Sequence, residues 1–238
     1  MDIQICNTVP KLFWHHVENH ADEISIWQKQ QGTWESITWG EYGDFVKDIA
    51  NALLDAGIQR ADKVSIISLT RFEWVVVDLA IMSIGAITVP VYPSNTEEQV
   101  HYILDHSQSK FVFAEDQEQL DKMMKIRSGL RDVQQTVVFD KYQLEIIEKV
   151  ISLDAFREKG STFRRGNPEM LKKSIDGGNP QDTISFIYTS GTTGHPKAGL
   201  INSENVLAVV KHLPDLYGIT KNDMSIAYLP LSHIAERD

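Results

Sequence analysis

Residues 72–91, FEWVVVDLAIMSIGAITVPV, form the most apolar stretch of the chain, long enough to pose a choice between a membrane span and a buried helix followed by a buried strand. Asp78 would sit near the bilayer centre at a cost of about 2.5–3.5 kcal/mol, and Gly85 and Pro90 punctuate the run. The stretch therefore reads as a helix over 72–84 and a strand over 86–92, apolar throughout because both are covered on each side. Just upstream, residues 64–69 (VSIISL) suit another buried parallel strand. Downstream the alternation continues as helix 96–108, strand 110–114, helix 117–127 and strand 136–140. Each parallel crossover needs a helix-length connection, so this alternation predicts an α/β fold, a parallel-sheet subdomain with flanking helices.

The flanks extend the pattern. Residues 8–20 have helical apolar spacing at Leu12, Phe13 and Val17, with Pro10 in a first turn that tolerates it. His15, His16 and His20 share this helix without a nearby acidic or cysteine partner, and read as a solvated face and not as a zinc site. Two β-rich runs, 24–30 and 33–38, separated by Gln31-Gly32, predict a hairpin. Thr38 and Glu41 form a capping box for a helix that ends at Ala56-Gly57. A longer helix is expected over about 144–159. Residues 163–182 bring glycines, prolines and mixed charge with little apolar periodicity, which marks a boundary. Beyond it a strand is expected over 184–188, a loop over 189–199, a helix over 202–217 and a strand over 224–229, the start of a second sheet. The expected organisation is a first α/β subdomain over 1–162, a connecting segment over 163–182, and the beginning of a second α/β subdomain over 183–238.

Composition excludes several classes of function. At roughly 150 residues per domain, 238 residues allow one large domain or two small ones. The chain carries 23 Lys+Arg against 33 Asp+Glu, and a net charge of −10 repels a phosphate backbone, so no nucleic-acid partner is expected. A single cysteine, Cys6, cannot form an internal disulfide, and the N-terminus has no basic region followed by an apolar one. A cytoplasmic location is the expectation.

The segment that carries chemistry is Tyr188-Thr-Ser-Gly-Thr-Thr-Gly-His-Pro-Lys-Ala-Gly199, between a predicted strand and a predicted helix. Gly191 and Gly194 let backbone N–H groups approach an anion closely. Thr189, Ser190, Thr192 and Thr193 add hydroxyls that can donate to phosphate oxygens or ligate a hard cation such as Mg²⁺. Lys197 supplies a positive charge behind Pro196. The spacing is neither a Walker P-loop, which would need glycine where Pro196 stands, nor GxGxxG. An ordinary Ser/Thr/Gly-rich surface loop would explain the hydroxyls and glycines. It does not explain the lysine, or the apolar ISFIY strand directly before the loop.

Residues 188–197, YTSGTTGHPK, resemble the phosphate-binding signature of the adenylate-forming (AMP-binding) superfamily, which includes acyl-CoA synthetases, luciferases and the adenylation domains of peptide synthetases. Residues 228–237, YLPLSHIAER, resemble the next motif of that superfamily in the form found in long-chain fatty acyl-CoA synthetases, and residues 89–95, VPVYPSN, look like the same enzymes. The resemblance implies an ATP-dependent long-chain fatty acid:CoA ligase, which converts a carboxylate to acyl-AMP and then to a thioester with CoA. It also implies that Thr189, Ser190, Gly191, Thr192, Thr193 and Gly194 wrap the β- and γ-phosphates of ATP. Thr189 would ligate Mg²⁺, Lys197 would hold the phosphates, and His233 would stand between the nucleotide and acyl pockets. Glu236 and Arg237 match the motif without an assigned step. The superfamily usually has glycine directly after the lysine, where this chain has Ala198. If that position needs positive φ, alanine costs about 1 kcal/mol.

The resemblance implies further parts that these residues do not include: the adenine-stacking motif with its Mg²⁺ carboxylate, the ribose-binding aspartate, the hinge, and a small C-terminal domain with an adenylation lysine. The expectation is an N-terminal fragment, inactive in isolation. Two alternatives are a non-catalytic module with weak nucleotide or partner binding, and an adenylating enzyme for another class of carboxylate. The expected partners are a fatty acid or other carboxylate, ATP and CoA. Peripheral contact with a membrane would suit the substrate, but no amphipathic basic helix marks one.

Overall fold

The computed structural model describes residues 6–30, 32–140, 147–189, 195–220 and 223–232. Helix α1 (Val9–Asn19) starts at Thr8, whose hydroxyl accepts from the Lys11 N–H, with proline in its first turn. The predicted hairpin is present as β1 (Ile24–Gln30) and β2 (Thr33–Thr38), paired antiparallel with Gln30 opposite Thr33. Gly32 in the turn has φ +89°.

Helix α2 (Trp39–Asp55) opens with the predicted capping box: the Glu41 N–H donates to Thr38 Oγ1 at 3.2 Å, and the Thr38 N–H donates to Glu41 Oε2 at 2.8 Å. The Thr38 N–H first, and then the Thr38 hydroxyl, which donates to the same Glu41 Oε2 at 3.1 Å, hold the Glu41 carboxyl below its ordinary pKa. A depressed carboxylate pKa stabilises the fold above the unfolded-state value and loses that contribution as pH falls through the folded one. Thr38→Ala is expected to cost about 1 kcal/mol. Thermal melts should show that the deficit shrinks when pH is lowered through the carboxylate range, because Glu41 then no longer contributes in either protein.

A seven-stranded sheet forms the centre of the molecule. Its strands are β3 (Lys63–Ile67), β4 (Ile87–Val91), β5 (Ser109–Ala114), β6 (Gln135–Val138), β7 (Val150–Ser152), β8 (Thr183–Thr189) and β9 (Lys197–Asn202), in the order β7-β6-β5-β3-β4-β8-β9. All neighbours are parallel except β8 and β9, which run antiparallel. The chain moves from β3 to β4 on one side, then returns to place β5 on the other side of β3. This reversal puts the connecting helices on opposite faces. One face is covered by α1, α2, α3 (Phe72–Ser83) and α6 (Leu153–Gly166), with Trp74, Ile49, Leu53 and Phe156 in its core. The other is covered by α4 (Glu97–Ser107) and α5 (Gln117–Ile126), through Val100, Ile103, Leu104 and Met123.

The 72–91 stretch divides as expected. The helix runs Phe72–Ser83 with Asp78 buried, Gly85 follows at φ +78°, and all five residues of β4 are buried. No helix among the described residues is long and apolar enough to cross a membrane.

Several expectations are corrected. The strands after residue 182 do not open a second sheet: β8 joins the first sheet beside β4, with Ser185 opposite Thr88 and its hydroxyl donating to the Thr88 carbonyl at 3.1 Å. Residues 197–199, expected in a loop, begin β9, because β8 needs an antiparallel partner on its outer edge. The helix expected over about 144–159 is displaced. Residues 144–146 lie outside the described residues, Val150–Ser152 form β7, and α6 runs Leu153–Gly166 from a Ser152 cap. The connecting stretch contains the end of α6 and a helix, α7 (Met170–Asp176), anchored by buried Leu171. The helix expected over 202–217 divides into α8 (Ser203–Val210) and α9 (Leu213–Tyr217), since Pro214 can open a helix but not continue one. Residues 224–229 form no strand. Met224, Ile226 and Tyr228 alternate as a strand would, but they are exposed and have no ladder partner among the described residues.

Candidate active site

Parallel sheets present ligands at the carboxyl ends of their strands, near the point where strand order reverses. Strands β3, β4 and β8 end together there. β8 runs parallel to β4, so Thr189 finishes on this edge, and the chain returns as β9 with Lys197 directly opposite Thr189. Side chains of an opposed antiparallel pair share a face, so the Thr189 and Lys197 side chains leave the same face of the sheet where the loop begins and ends. Both residues are exposed. Ser190, Gly191, Thr192, Thr193 and Gly194, like His233, Glu236 and Arg237, lie outside the described residues.

Ala198 has no positive φ. It is a strand residue opposite Tyr188, a conformation that alanine adopts freely, so the penalty considered for it does not arise and Lys197 keeps its strand register.

The segment that precedes His233 is docked on the same edge. The Thr70 hydroxyl, in the loop after β3, donates to the Leu229 carbonyl at 2.6 Å and accepts from the Leu231 N–H at 3.3 Å. Leu231 is buried in the core below. Thus residues 229–232, held by Thr70 after β3, and Thr189, at the end of β8, both sit on the carboxyl edge, with β4 between those two strands. Arg71 ties this edge together: its guanidinium contacts Glu73 at 2.7 Å and Asp140 at 2.8 Å, and Glu115, at 3.8 Å from it, also accepts from the Leu69 N–H at 2.8 Å.

Residues outside the predicted set also belong here. Tyr102 and His106, one turn apart on α4, contact both ends of the loop. The Tyr188 hydroxyl lies 2.8 Å from His106 Nδ1, and burial pushes its pKa up to about 12. The i, i+4 spacing of an aromatic and a histidine on one helix face was the only signal available for them. A cleft of about 240 Å³ lined by Met123, Arg127, Gln135 and Lys149 lies at the opposite, amino end of β6 and β7 and includes none of these residues.

The sheet, its flanking helices and the hairpin at its carboxyl edge define an α/β protein of the adenylate-forming fold. The L. pneumophila fatty acyl-adenylate ligase, in complex with acyl adenylate and pyrophosphate, matches with a TM-score of 0.73 at 18% identity, over 98% of this chain and 37% of that one. An anthranilate CoA ligase in complex with anthranoyl-AMP matches with a TM-score of 0.69 at 20% identity, over 83% of this chain and 35% of that one. Residues 13–238 match the AMP-binding enzyme family, and the chain belongs to it. Among similar curated proteins, a long-chain-fatty-acid–CoA ligase of Mycobacterium bovis is 28% identical over 97% of this chain and 37% of its own length. One from Rattus norvegicus is 28% identical over 96% of this chain and 34% of its own length. The chain thus spans about a third of the curated relatives it matches.

Proposed function

We propose that this chain supplies the phosphate-handling part of an ATP-dependent long-chain fatty acid:CoA ligase. The observation that carries the reading is the pairing of Thr189 with Lys197 across the stem of a glycine- and hydroxyl-rich loop, at the carboxyl edge of the sheet. In the first step a fatty carboxylate oxygen attacks the α-phosphorus of ATP, the α–β bridging bond breaks, and pyrophosphate leaves. In the second, the CoA thiolate attacks the acyl carbon and AMP leaves. Neither step needs a covalent bond to the protein, so the protein acts by positioning and by balancing charge on phosphate oxygens.

The roles divide accordingly. The N–H groups and hydroxyls of Ser190, Gly191, Thr192, Thr193 and Gly194 surround the β- and γ-phosphates, and Lys197 holds their charge from the β9 stem. Thr189 offers a hard hydroxyl oxygen, which fits Mg²⁺, a cation usually held by one or two protein groups plus substrate phosphates. When bound, that ion would neutralise charge on the leaving pyrophosphate. His233, next in sequence after the docked 229–232 segment, is assigned to the carboxylate under attack. In this reading residues 1–162 and the 163–182 connection form the frame, residues 183–238 carry the phosphate loop, and the enzyme works in the cytoplasm.

Pyrophosphate release by the intact protein, measured with a panel of carboxylates, tests the proposal. Release should require ATP and Mg²⁺ and be fastest with long-chain fatty acids. Preference for short or aromatic acids would overturn the long-chain assignment, and no carboxylate-dependent release would overturn the ligase reading.

A further inference from the structure

Both ends of the 190–196 loop are held by one face of α4. Tyr102 stacks on His195 with ring centroids 4.5 Å apart and planes 17° from parallel, and its hydroxyl donates to the Pro196 carbonyl at 3.0 Å. One turn on, His106 stacks on Tyr102 at 5.4 Å and hydrogen-bonds the Tyr188 hydroxyl at 2.8 Å. Tyr102 therefore grips the β9 end of the loop, and His106 grips the β8 end.

Helix α4 is itself well fixed. Thr96 and Gln99 cap its start reciprocally, at 3.0 and 3.3 Å, and Val100, Ile103 and Leu104 bury its inner face. The preceding turn is held from α5, where Lys122 Nζ donates to the Pro93 and Asn95 carbonyls at 2.7 and 3.1 Å. The VPVYPSN segment thus delivers a rigid helix whose exposed edge meets the loop. Fixing Tyr188, His195 and Pro196 beforehand removes part of the entropic cost of presenting the two stem residues, Thr189 and Lys197, to an anion.

We infer that Tyr102 and His106 are positioning residues that fix the loop for triphosphate binding. The inference rests on the phosphate-loop reading above and extends it to α4, whose residues touch the stems of the loop.

The test compares Tyr102→Ala, Tyr102→Phe and His106→Leu with Lys197→Ala in the intact protein, reading two quantities. Hydrogen–deuterium exchange over 187–200 without ligand reports the clamp alone, and should rise at least several-fold in Tyr102→Ala and His106→Leu. In Tyr102→Phe, which keeps the ring stack and loses only the Pro196 bond, it should rise less. The KM for ATP in pyrophosphate release should rise about tenfold in Tyr102→Ala, with the KM for the carboxylate unchanged and partial recovery in Tyr102→Phe. Unchanged exchange would overturn the clamp. Faster exchange with an unchanged KM for ATP, while Lys197→Ala is impaired, would overturn the positioning role and leave the phosphate loop standing. Should Lys197→Ala also be unimpaired, the phosphate-loop reading fails and this inference falls with it.

Discussion

Lys197→Ala is expected to lower carboxylate-dependent pyrophosphate release by about 100-fold or more, with little change in melting temperature. The large effect follows from where charge accumulates. As the α–β bond breaks, negative charge grows on the departing pyrophosphate, and a fixed cation beside it stabilises the transition state more than bound ATP; removing one such group typically costs a factor of 10²–10³. The small structural effect follows from placement, since Lys197 is the first residue of an edge strand and exposed, and substitutions at such sites usually stay within about 0.5 kcal/mol. Lys197→Arg should restore only part of the activity, because a planar fork does not reproduce a compact ammonium. Thr189→Ala should reduce release less, by about tenfold, as one neutral hydroxyl is lost. Unchanged rates in both alanine variants would remove the phosphate-loop assignment.

The contrast between these residues and the rest of the site shows where sequence patterns carry information and where they stop. The α/β alternation from Val64 onward is local: each strand and helix announces itself by its own apolar period, and β3 through β6 fall close to the expected positions. Which edge a strand joins is not local. Ser185 meets Thr88 across 97 positions of sequence, and nothing in ISFIY distinguishes the edge of an existing sheet from the start of a new one. Strand β9 was hidden for a different reason. Its residues KAGLIN show little alternation because both faces are largely exposed, and pairing with β8 alone makes them a strand. Conversely, the alternation of Met224, Ile226 and Tyr228 promised a strand for which the described residues offer no partner. The site divides in the same way. Thr189 and Lys197, proposed above, stand out in the composition of their loop, whereas Tyr102 and His106 lie on a helix that was placed only as an element, and their contacts with the loop depend on which edge β8 joins.

Gly160→Ala should be the most damaging conservative change in the frame of the molecule. Residue 160 was expected just beyond the end of a helix, yet it lies inside α6, where a glycine normally costs about 1 kcal/mol relative to alanine. Propensity alone therefore predicts stabilisation. Packing opposes it: a Cβ at this position would stand 1.8 Å from the Asp48 carbonyl oxygen and 2.7 Å from the Ala52 nitrogen, both backbone atoms of α2. Backbone cannot rotate away as a side chain can, so the two helices must separate. Their separation would disturb the Arg157 and Arg164 contacts to Asp48, at 3.5 and 3.4 Å, and the seat of Phe156 against Phe111 and Phe113. Overpacking of this kind costs about 1–3 kcal/mol and occasionally more. With backbone as the obstacle the upper end applies, and after subtracting the propensity gain the net loss is about 2 kcal/mol or more, a melting-temperature drop of roughly 4–8 °C. Gly166→Ala is the matched control in the same helix, because its Cβ would meet nothing within 4 Å and its φ is not positive. It should be neutral or stabilising by up to about 1 kcal/mol. Equal melting temperatures for the two variants would show that α2 and α6 do not approach as closely as Gly160 requires.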